Sequence, residues 1–331
     1  MEIKTTTKNL DNYKIYLQVE EAVHEFMEKN KYLKIDLPVL SPALIPESYL
    51  QVFETDFKFL DKKEKLYLIP SPELFLKRLL AYGVGDCYYL GKSFRNADPP
   101  ATLHSYEFVM LEFYKMDADY MGIADVVLKL LQSISRKLQV TSYKLQNKII
   151  YKGKKISFEK WEKITVQKAF KKYAGISEKE LFNHKLFIEK AKEKGYSINT
   201  STYEDLWSQI YSQEIEPHLG TNGFPTLIYD YPKEFAALAK LNPDGRTTQR
   251  FEFYIDGIEL GDCYTELTDW KEQEKRFNNE KKVIHPIDKG YIEALKYGLN
   301  DCSGIAIGLE RLAMIFANLT SIDQLKLINI S

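Results

Sequence analysis

Strand signals in this chain come in consecutive runs rather than alternating with helices, and that ordering restricts the fold more than any other feature. The Tyr- and Phe-rich segments LYLI (66–69), CYYLGKSF (87–94) and EFVMLEFY (107–114) form one run. PTLIYDYP (225–232) and RFEFYIDGIEL (250–260) form a second, in which Asp256 and Gly257 read as a hairpin turn. Helical spacing is confined to other places. Ile15, Val19, Ala22, Val23 and Phe26 predict a helix over about 12–30, and Ile123, Val126, Val127, Leu130, Leu131, Ile134 and Leu138 predict another. The three prolines of IDLPVLSPALIP (35–46) exclude helix there. CSGIAIGLERLAMIFANL (302–319) reads as a strand running into an amphipathic helix. Runs of strands without βαβ alternation imply an α+β fold built on an antiparallel sheet. The stretch from about 145 to 215 is Lys-rich, helical in composition and poor in strand signal, and reads as an insertion packed on the β core.

Composition narrows the function. The 331 residues carry 46 Lys plus Arg against 47 Asp plus Glu, a net charge of -1, which argues against a large nucleic-acid footprint. Cys87, Cys263 and Cys302 are far apart and form no CxxC pair, so neither a disulfide framework nor a zinc site is expected. No apolar run is long enough to span a bilayer, and the expectation is a cytoplasmic enzyme with no membrane partner. Neither a GxxxxGK[ST] loop nor a strand-linked GxGxxG occurs; if ATP binds, arginines and metal-bound carboxylates must hold it.

Three constellations could do so. In SFRNADPPATLHSYEFVMLEFY (93–114), strand period two puts Phe108, Met110, Glu112 and Tyr114 on one face and Val109, Leu111 and Phe113 on the other. The second face is the core, so Glu112 and Tyr114 emerge together on a side suited to an amine-bearing ligand, although a surface carboxylate beside a half-buried tyrosine would read the same way. In RFEFYIDGIELGDCYTELTD (250–269), Glu259 and Glu266 lie seven apart and would face opposite sides of a regular strand. A bulge near Gly261 and Asp262 would bring them to one face, where two oxygen ligands could hold Mg²⁺; two solvated carboxylates is the plainer reading. In GIAIGLER (304–311), two glycines four apart allow close approach of a ligand, and Arg311 in a first helical turn could fork toward phosphate.

Taken in order, these strings resemble the three motifs of class II aminoacyl-tRNA synthetases. Pro38 within KYLKIDLPVLSP stands where motif 1 has its dimer-interface proline, SFRNA through LEFY resembles motif 2, and GIAIGLERL resembles motif 3. LIPSPELFLKRLL, PTLIYDYP, RFEFYIDGIEL, YTELTD and EALKYGLNDCSG narrow the likeness to the lysyl-tRNA synthetase branch. SPE, VFET and DCSGIAIG are similar to the elongation factor P (R)-β-lysine ligases, truncated paralogues that acylate a lysine of a translation factor. Ala306 follows them, standing where lysyl-tRNA synthetases usually carry Gly.

The resemblance implies the class II catalytic fold over residues 1–331 as a single domain, a homodimer, and no anticodon-binding OB-fold, since motif 1 already begins near residue 30. It implies ATP and Mg²⁺ as cofactors, lysine or β-lysine as the amino acid, and a lysine of elongation factor P rather than tRNA as acceptor. Arg95 would clamp the α-phosphate and the substrate carboxylate, and Arg311 the distal phosphates. Asn96, Ala97, Ser105, Glu259, Leu260 and Gly308 would meet the nucleotide, and Glu259 and Glu266 would bind Mg²⁺. Ser71, Pro72, Glu73, Glu112, Tyr114, Glu266 and Ala306 would meet the amino acid. Departures from the family pattern are Ala97 for a usual Glu, which Asp98 could offset, Ser105 for Asn, Asp262 for Asn, and one extra residue in the motif 2 loop. They leave open a stand-alone activating enzyme acting on tRNA or a small amine, and a non-catalytic paralogue with a regulatory binding role.

Overall fold

The computed structural model describes residues 2–46, 50–96, 101–138, 147–199, 201–279 and 285–330. Its centre is an eight-stranded sheet. In chain order the strands are β1 (Leu33–Lys34), β2 (Cys87–Phe94), β3 (Glu107–Met116), β4 (Glu162–Thr165), β5 (Thr226–Pro232), β6 (Thr247–Ile255), β7 (Ile258–Thr265) and β8 (Cys302–Gly308). In space they run β4-β5-β6-β7-β8-β3-β2-β1. Every pairing from β5 to β2 is antiparallel, and β4 and β1 add in parallel at the two edges. The antiparallel expectation holds for the whole interior of the sheet.

Register explains what each face does. Phe113, Ile305, Cys263 and Phe251 lie side by side across β3, β8, β7 and β6, all on the core side. Three helices cover them: α1 (Leu10–Lys29), α3 (Tyr120–Leu138) and α7 (Leu309–Phe316), named in chain order with α2 (Glu73–Ala81), α4 (Tyr203–Ile210), α5 (Trp270–Asn279) and α6 (Lys289–Gly298). Val19, Ala22, Val23 and Phe26 of α1 and Ile123, Val127, Leu130 and Ile134 of α3 supply the buried stripe, at the spacing the sequence predicts. Each of the Val, Leu, Ile and Phe side chains so withdrawn from water contributes about 1.5–3 kcal/mol.

On the opposite face the same register lines up two polar rows. One is Glu112, Ala306, Asp262, Glu252; the next is Tyr114, Gly304, Tyr264, Arg250. Gly304 is required for the second row, because a Cβ there would lie 2.3 Å from the Tyr114 ring. At the β6–β7 hairpin, Asp256 (φ 49°) and Gly257 (φ 74°) make the left-handed turn expected of that pair. One residue further on, Phe253 pairs with Gly261 while Tyr254 pairs with Glu259, so Leu260 is the extra residue of a bulge. The bulge expected at Gly261 and Asp262 is therefore present, one position earlier.

The 145–215 stretch differs from its strand-poor reading. Its described part opens on a hairpin, Lys148–Tyr151 with Lys154–Ser157, and then supplies β4 before the helices begin. Lys152 (φ 47°) and Gly153 (φ 75°) form its turn. Ile149, Tyr151 and Ile156 are buried, but exposed Ile150 between the first two and the adjacent lysines leave no clean apolar–polar alternation to read. The helices that follow make their own core, in which Phe170, Phe187 and Trp207 pack with Tyr231 and Tyr254 of the sheet.

Gly220 closes this segment against the sheet: its carbonyl accepts from Asp256 N at 3.0 Å, its φ is +71°, and a Cβ would sit 2.5 Å from Tyr254 O. Gly220→Ala is therefore expected to lower stability by on the order of 2–3 kcal/mol, measured as a shift in the urea midpoint.

Candidate active site

The polar rows form one wall of a cavity of about 670 Å³. Its two ends differ in charge. At one end, α2 presents Glu73 and Lys77, β3 presents Glu112 and Tyr114, and Glu266 follows directly on β7. Lys77 is 1% exposed and ion-paired to both Glu73 and Glu266, at 2.5 Å from Glu266 Oε2. Glu112 accepts from Ser71 Oγ and Tyr114 Oη, each at 2.7 Å, and the Ser71 hydroxyl also accepts from Glu73 N at 3.1 Å. Tyr264 donates its hydroxyl to Glu73. Three buried carboxylates thus face a single ammonium.

Burial sets the protonation of this end. It pushes Glu112 up to about 8, helped by the neighbouring Glu73 charge and opposed by the bonds from Tyr114 and Ser71. Glu266 is also raised to about 8 by burial, against the pull of Lys77.

The other end is built around Arg95, at the end of β2, and Arg311, in the first turn of α7. The Arg95 guanidinium stands 5.4 Å from the centre of the Phe108 ring, and its Nε is buried without a partner among the described residues. Arg311 donates to Leu103 O and Glu259 O, both at 3.0 Å, and its Nη1 lies 3.6 Å from Glu259 Oε2. His104 Nδ1 is 3.2 Å from Arg311 Nη2. The bulge turns Glu259 onto the cavity side, where burial holds its carboxyl above the usual range against the pull of Arg311. Ser105, Leu260, Ala306 and Gly308 also line the space.

Asp262, the residue that replaces a usual Asn, is occupied. Arg250 forks onto it with Nε to Oδ1 at 2.9 Å and Nη2 to Oδ2 at 2.8 Å, and the same guanidinium reaches Glu252 at 3.1 Å. The added negative charge is absorbed by a fixed cation.

Most residues singled out from the sequence meet at this cavity: Ser71, Glu73, Arg95, Ser105, Glu112, Tyr114, Glu259, Leu260, Glu266, Ala306, Gly308 and Arg311. Two do not reach its wall. Pro72 caps α2, its carbonyl accepting from Phe75 and Leu76, and so places Ser71 and Glu73. Asn96 turns away, donating from Nδ2 to Val52 O at 3.5 Å. Ala97 and Asp98 lie outside the described residues. Sequence reasoning missed Lys77, Arg250, Tyr264 and Gln273. In LFLKRLL the lysine reads as an exposed helix position, and only the tertiary fold buries it.

The family described as tRNA synthetases class II (D, K and N) matches residues 1–328 of this chain. The chain belongs to that family. An elongation factor P (R)-β-lysine ligase of Buchnera aphidicola is 34% identical over 315 residues, covering 91% of this chain and 90% of the relative. One from Vibrio cholerae is 33% identical over 333 residues, covering 96% and 95%. A lysine–tRNA ligase of Carboxydothermus hydrogenoformans is 31% identical over 317 residues, covering 92% of this chain but 62% of its own length. ATP use follows from the family. No helix among the described residues is long and apolar enough to cross a membrane.

The raised carboxyls give a stability test. Between about pH 4.5 and 8 the folded protein holds protons on Glu112 and Glu266 that the unfolded chain has released. The pair therefore makes the empty protein less stable as pH rises through that window. Glu112→Gln should flatten the fall of melting temperature across it in calorimetry, and leave the variant at least as stable as the parent at pH 8.

Proposed function

We propose that this protein activates a lysine-type amino acid, (R)-β-lysine foremost, with ATP and transfers it to a lysine side chain of elongation factor P. The observation that carries the reading is the polarised cavity: a carboxylate-rich end with too few cations, and an arginine end 

joined to it by one continuous wall. A diamino acid fits the first end, its ammonium groups taking the place of the protons that the empty site holds on Glu112 and Glu266 and joining Lys77 opposite Glu73. Triphosphate and substrate carboxylate fit the second. Relatives bearing the ligase name align over nine-tenths of their own length, which favours a protein acceptor over tRNA.

The chemistry needs no protein nucleophile. A substrate carboxylate oxygen attacks the α-phosphorus in line, the bond to the pyrophosphate oxygen breaks, and an aminoacyl-adenylate forms. The acceptor amine then attacks the acyl carbon, the bond to AMP breaks, and an amide remains with release of a proton. Arg95 neutralises the α-phosphate and aligns the carboxylate, while Arg311 exchanges its bonds to Leu103 O and Glu259 O for the distal phosphates. Positioning and charge neutralisation supply the acceleration. Ser105, Leu260 and Gly308 border the nucleotide. Asn96, next to Arg95, bonds to Val52 O rather than toward that space. Pro72 acts through Ser71 and Glu73, and the Ala306 methyl narrows the amino-acid end.

Carboxylates on a wall facing phosphates suit Mg²⁺, which keeps water and phosphate oxygens and takes few protein ligands. Among the described residues no group of three His, Cys, Asp or Glu is set to hold a metal alone. Glu259, held beside Arg311 at the phosphate end, would be the principal ligand. Glu266, with Oε2 on Lys77 and Oε1 at the carboxylate end, would serve the ion only through water. When bound, the ion would offset phosphate charge.

A homodimer belongs to the same reading. Leu33 (53% exposed) and Leu40 (40% exposed) flank Pro38, and Phe57, Phe59 and Leu60 are exposed nearby in sequence. Such apolar exposure suits an interface between copies, and sedimentation velocity should return twice the 38.6 kDa chain mass.

The deciding experiment is ATP–pyrophosphate exchange with L-lysine and (R)-β-lysine, followed by acylation with purified elongation factor P and tRNA side by side. Arg95→Ala should reduce exchange by on the order of 10²-fold or more. Near-normal exchange in that variant would remove Arg95 from the mechanism, and labelled tRNA with unlabelled elongation factor P would replace the acceptor.

A further inference from the structure

On α5, which covers the carboxylate end, only Gln273 and Phe277 are buried. Phe277 behaves as expected of an inward position, packing 5.6 Å from the Tyr291 ring. Gln273 does not. It is 1% exposed, it borders the cavity, and both Oε1 and Nε2 lack a hydrogen-bond partner among the described residues. An inward helix position of this kind is ordinarily apolar, and a primary amide removed from water with neither end satisfied is costly. The helix is not free to turn it outward. Arg276, three residues on, donates to Ala237 O at 3.0 Å and Ala239 O at 2.9 Å. That strip of chain is itself fastened to the catalytic wall: Ala239 bridges to Glu266, and Leu267 N donates to Leu238 O at 3.0 Å. Gln273 is thus fixed on the wall of the cavity that Glu266 also lines, and Glu266 Oε1 is likewise buried and unpartnered.

We infer that Gln273 is a substrate-contacting specificity residue, its side-chain amide and Glu266 Oε1 together receiving an ammonium group of the amino acid. The inference rests on the amino-acid-activating reading given above and adds a residue to it. A carboxylate can only accept hydrogen bonds, whereas an amide accepts through oxygen and donates through nitrogen. On the cavity shared with Glu266, Gln273 accepts from the ammonium next to the ligand's carboxylate and donates to that carboxylate. Its contribution therefore depends on how far apart those two groups are. For the inner ammonium, on Cα of lysine and on Cβ of β-lysine, that spacing differs by one carbon, so the amide responds to the isomer where a second carboxylate would not.

The test compares the full-length parent with Gln273→Met, which keeps the length and removes both polar ends, and with Gln273→Leu as a second apolar variant. Calorimetric titration with L-lysine, (R)-β-lysine and cadaverine, which has no carboxylate, is read with the melting temperature of the empty protein and the exchange KM values. The expected result is an unchanged or higher melting temperature, since an unsatisfied buried amide has gone. Affinity should fall at least tenfold for the amino acids and less for cadaverine, with the KM for ATP unchanged. Unaltered amino-acid affinity in Gln273→Met would overturn the inference. So would a lower melting temperature with equal losses for ATP and amino acid, the mark of an amide that holds the fold through water. A parent that binds these amines without exchange overturns the activating reading and keeps the inference if Gln273→Met loses the binding. A parent that binds none of them overturns both.

Discussion

The structure is organised around a charge imbalance. Glu73, Glu112 and Glu266 are buried together with one ammonium, Lys77, among them. Carboxylates removed from water either find cations or take up protons. Here one cation is shared between Glu73 and Glu266, and Glu112 makes do with two hydroxyl donors. Such an arrangement is poor as a device for stability and good as a receptor for a positively charged ligand. The surroundings preserve it. The α2 turn that begins after Pro72 fixes Glu73 and Lys77, the absent side chain of Gly304 leaves room for the Tyr114 ring, and the antiparallel register sets Glu112 level with Ala306 and Asp262.

The arginine end is organised by the opposite need. Arg95 and Arg311 are held in place but not consumed by carboxylates: Arg311 rests mainly on backbone carbonyls, with Glu259 at 3.6 Å, and Arg95 lies against an aromatic ring. Bonds to neutral carbonyls are weaker than those a guanidinium makes to phosphate, so exchanging them is favourable. Arg250 is the contrast. Its fork on Asp262 and its reach to Glu252 leave it a structural cation within the same wall. The Asp that departs from the family pattern therefore alters the wall's internal pairing rather than adding free charge to the site.

Much of this was legible in the residues. Period two in EFVMLEFY placed Glu112 and Tyr114 on the ligand side because one face of that strand is wholly apolar, and burial enforces such a pattern. The odd spacing of Glu259 and Glu266 allowed a shared face only with a bulge between them, and Leu260 supplies one. Less legible were groups whose character comes from tertiary position. Lys77 has the sequence context of a surface lysine, Arg250 and Gln273 the context of ordinary polar positions, and nothing local announces their burial. The strands at 148–165 escaped notice because each is only four residues long and exposed Ile150 and Lys154–Lys155 break a regular apolar–polar alternation. Pro72 and Asn96 show the converse: motif membership does not place a side chain on the cavity wall.

The two edges of the sheet have a further consequence. Strands β1 and β4 are two and four residues long, and both join in parallel to the antiparallel interior. A sheet edge offers unpaired backbone groups to any passing strand, and a very short edge strand offers few. The Lys-rich segment that contributes β4 is thus what terminates the sheet on one side, standing between solvent and the seven residues of β5. Seen this way, the segment that looked like an addition to the catalytic domain closes one side of its sheet, and the strands that carry the two polar rows, β3, β6, β7 and β8, all keep a neighbour on either side.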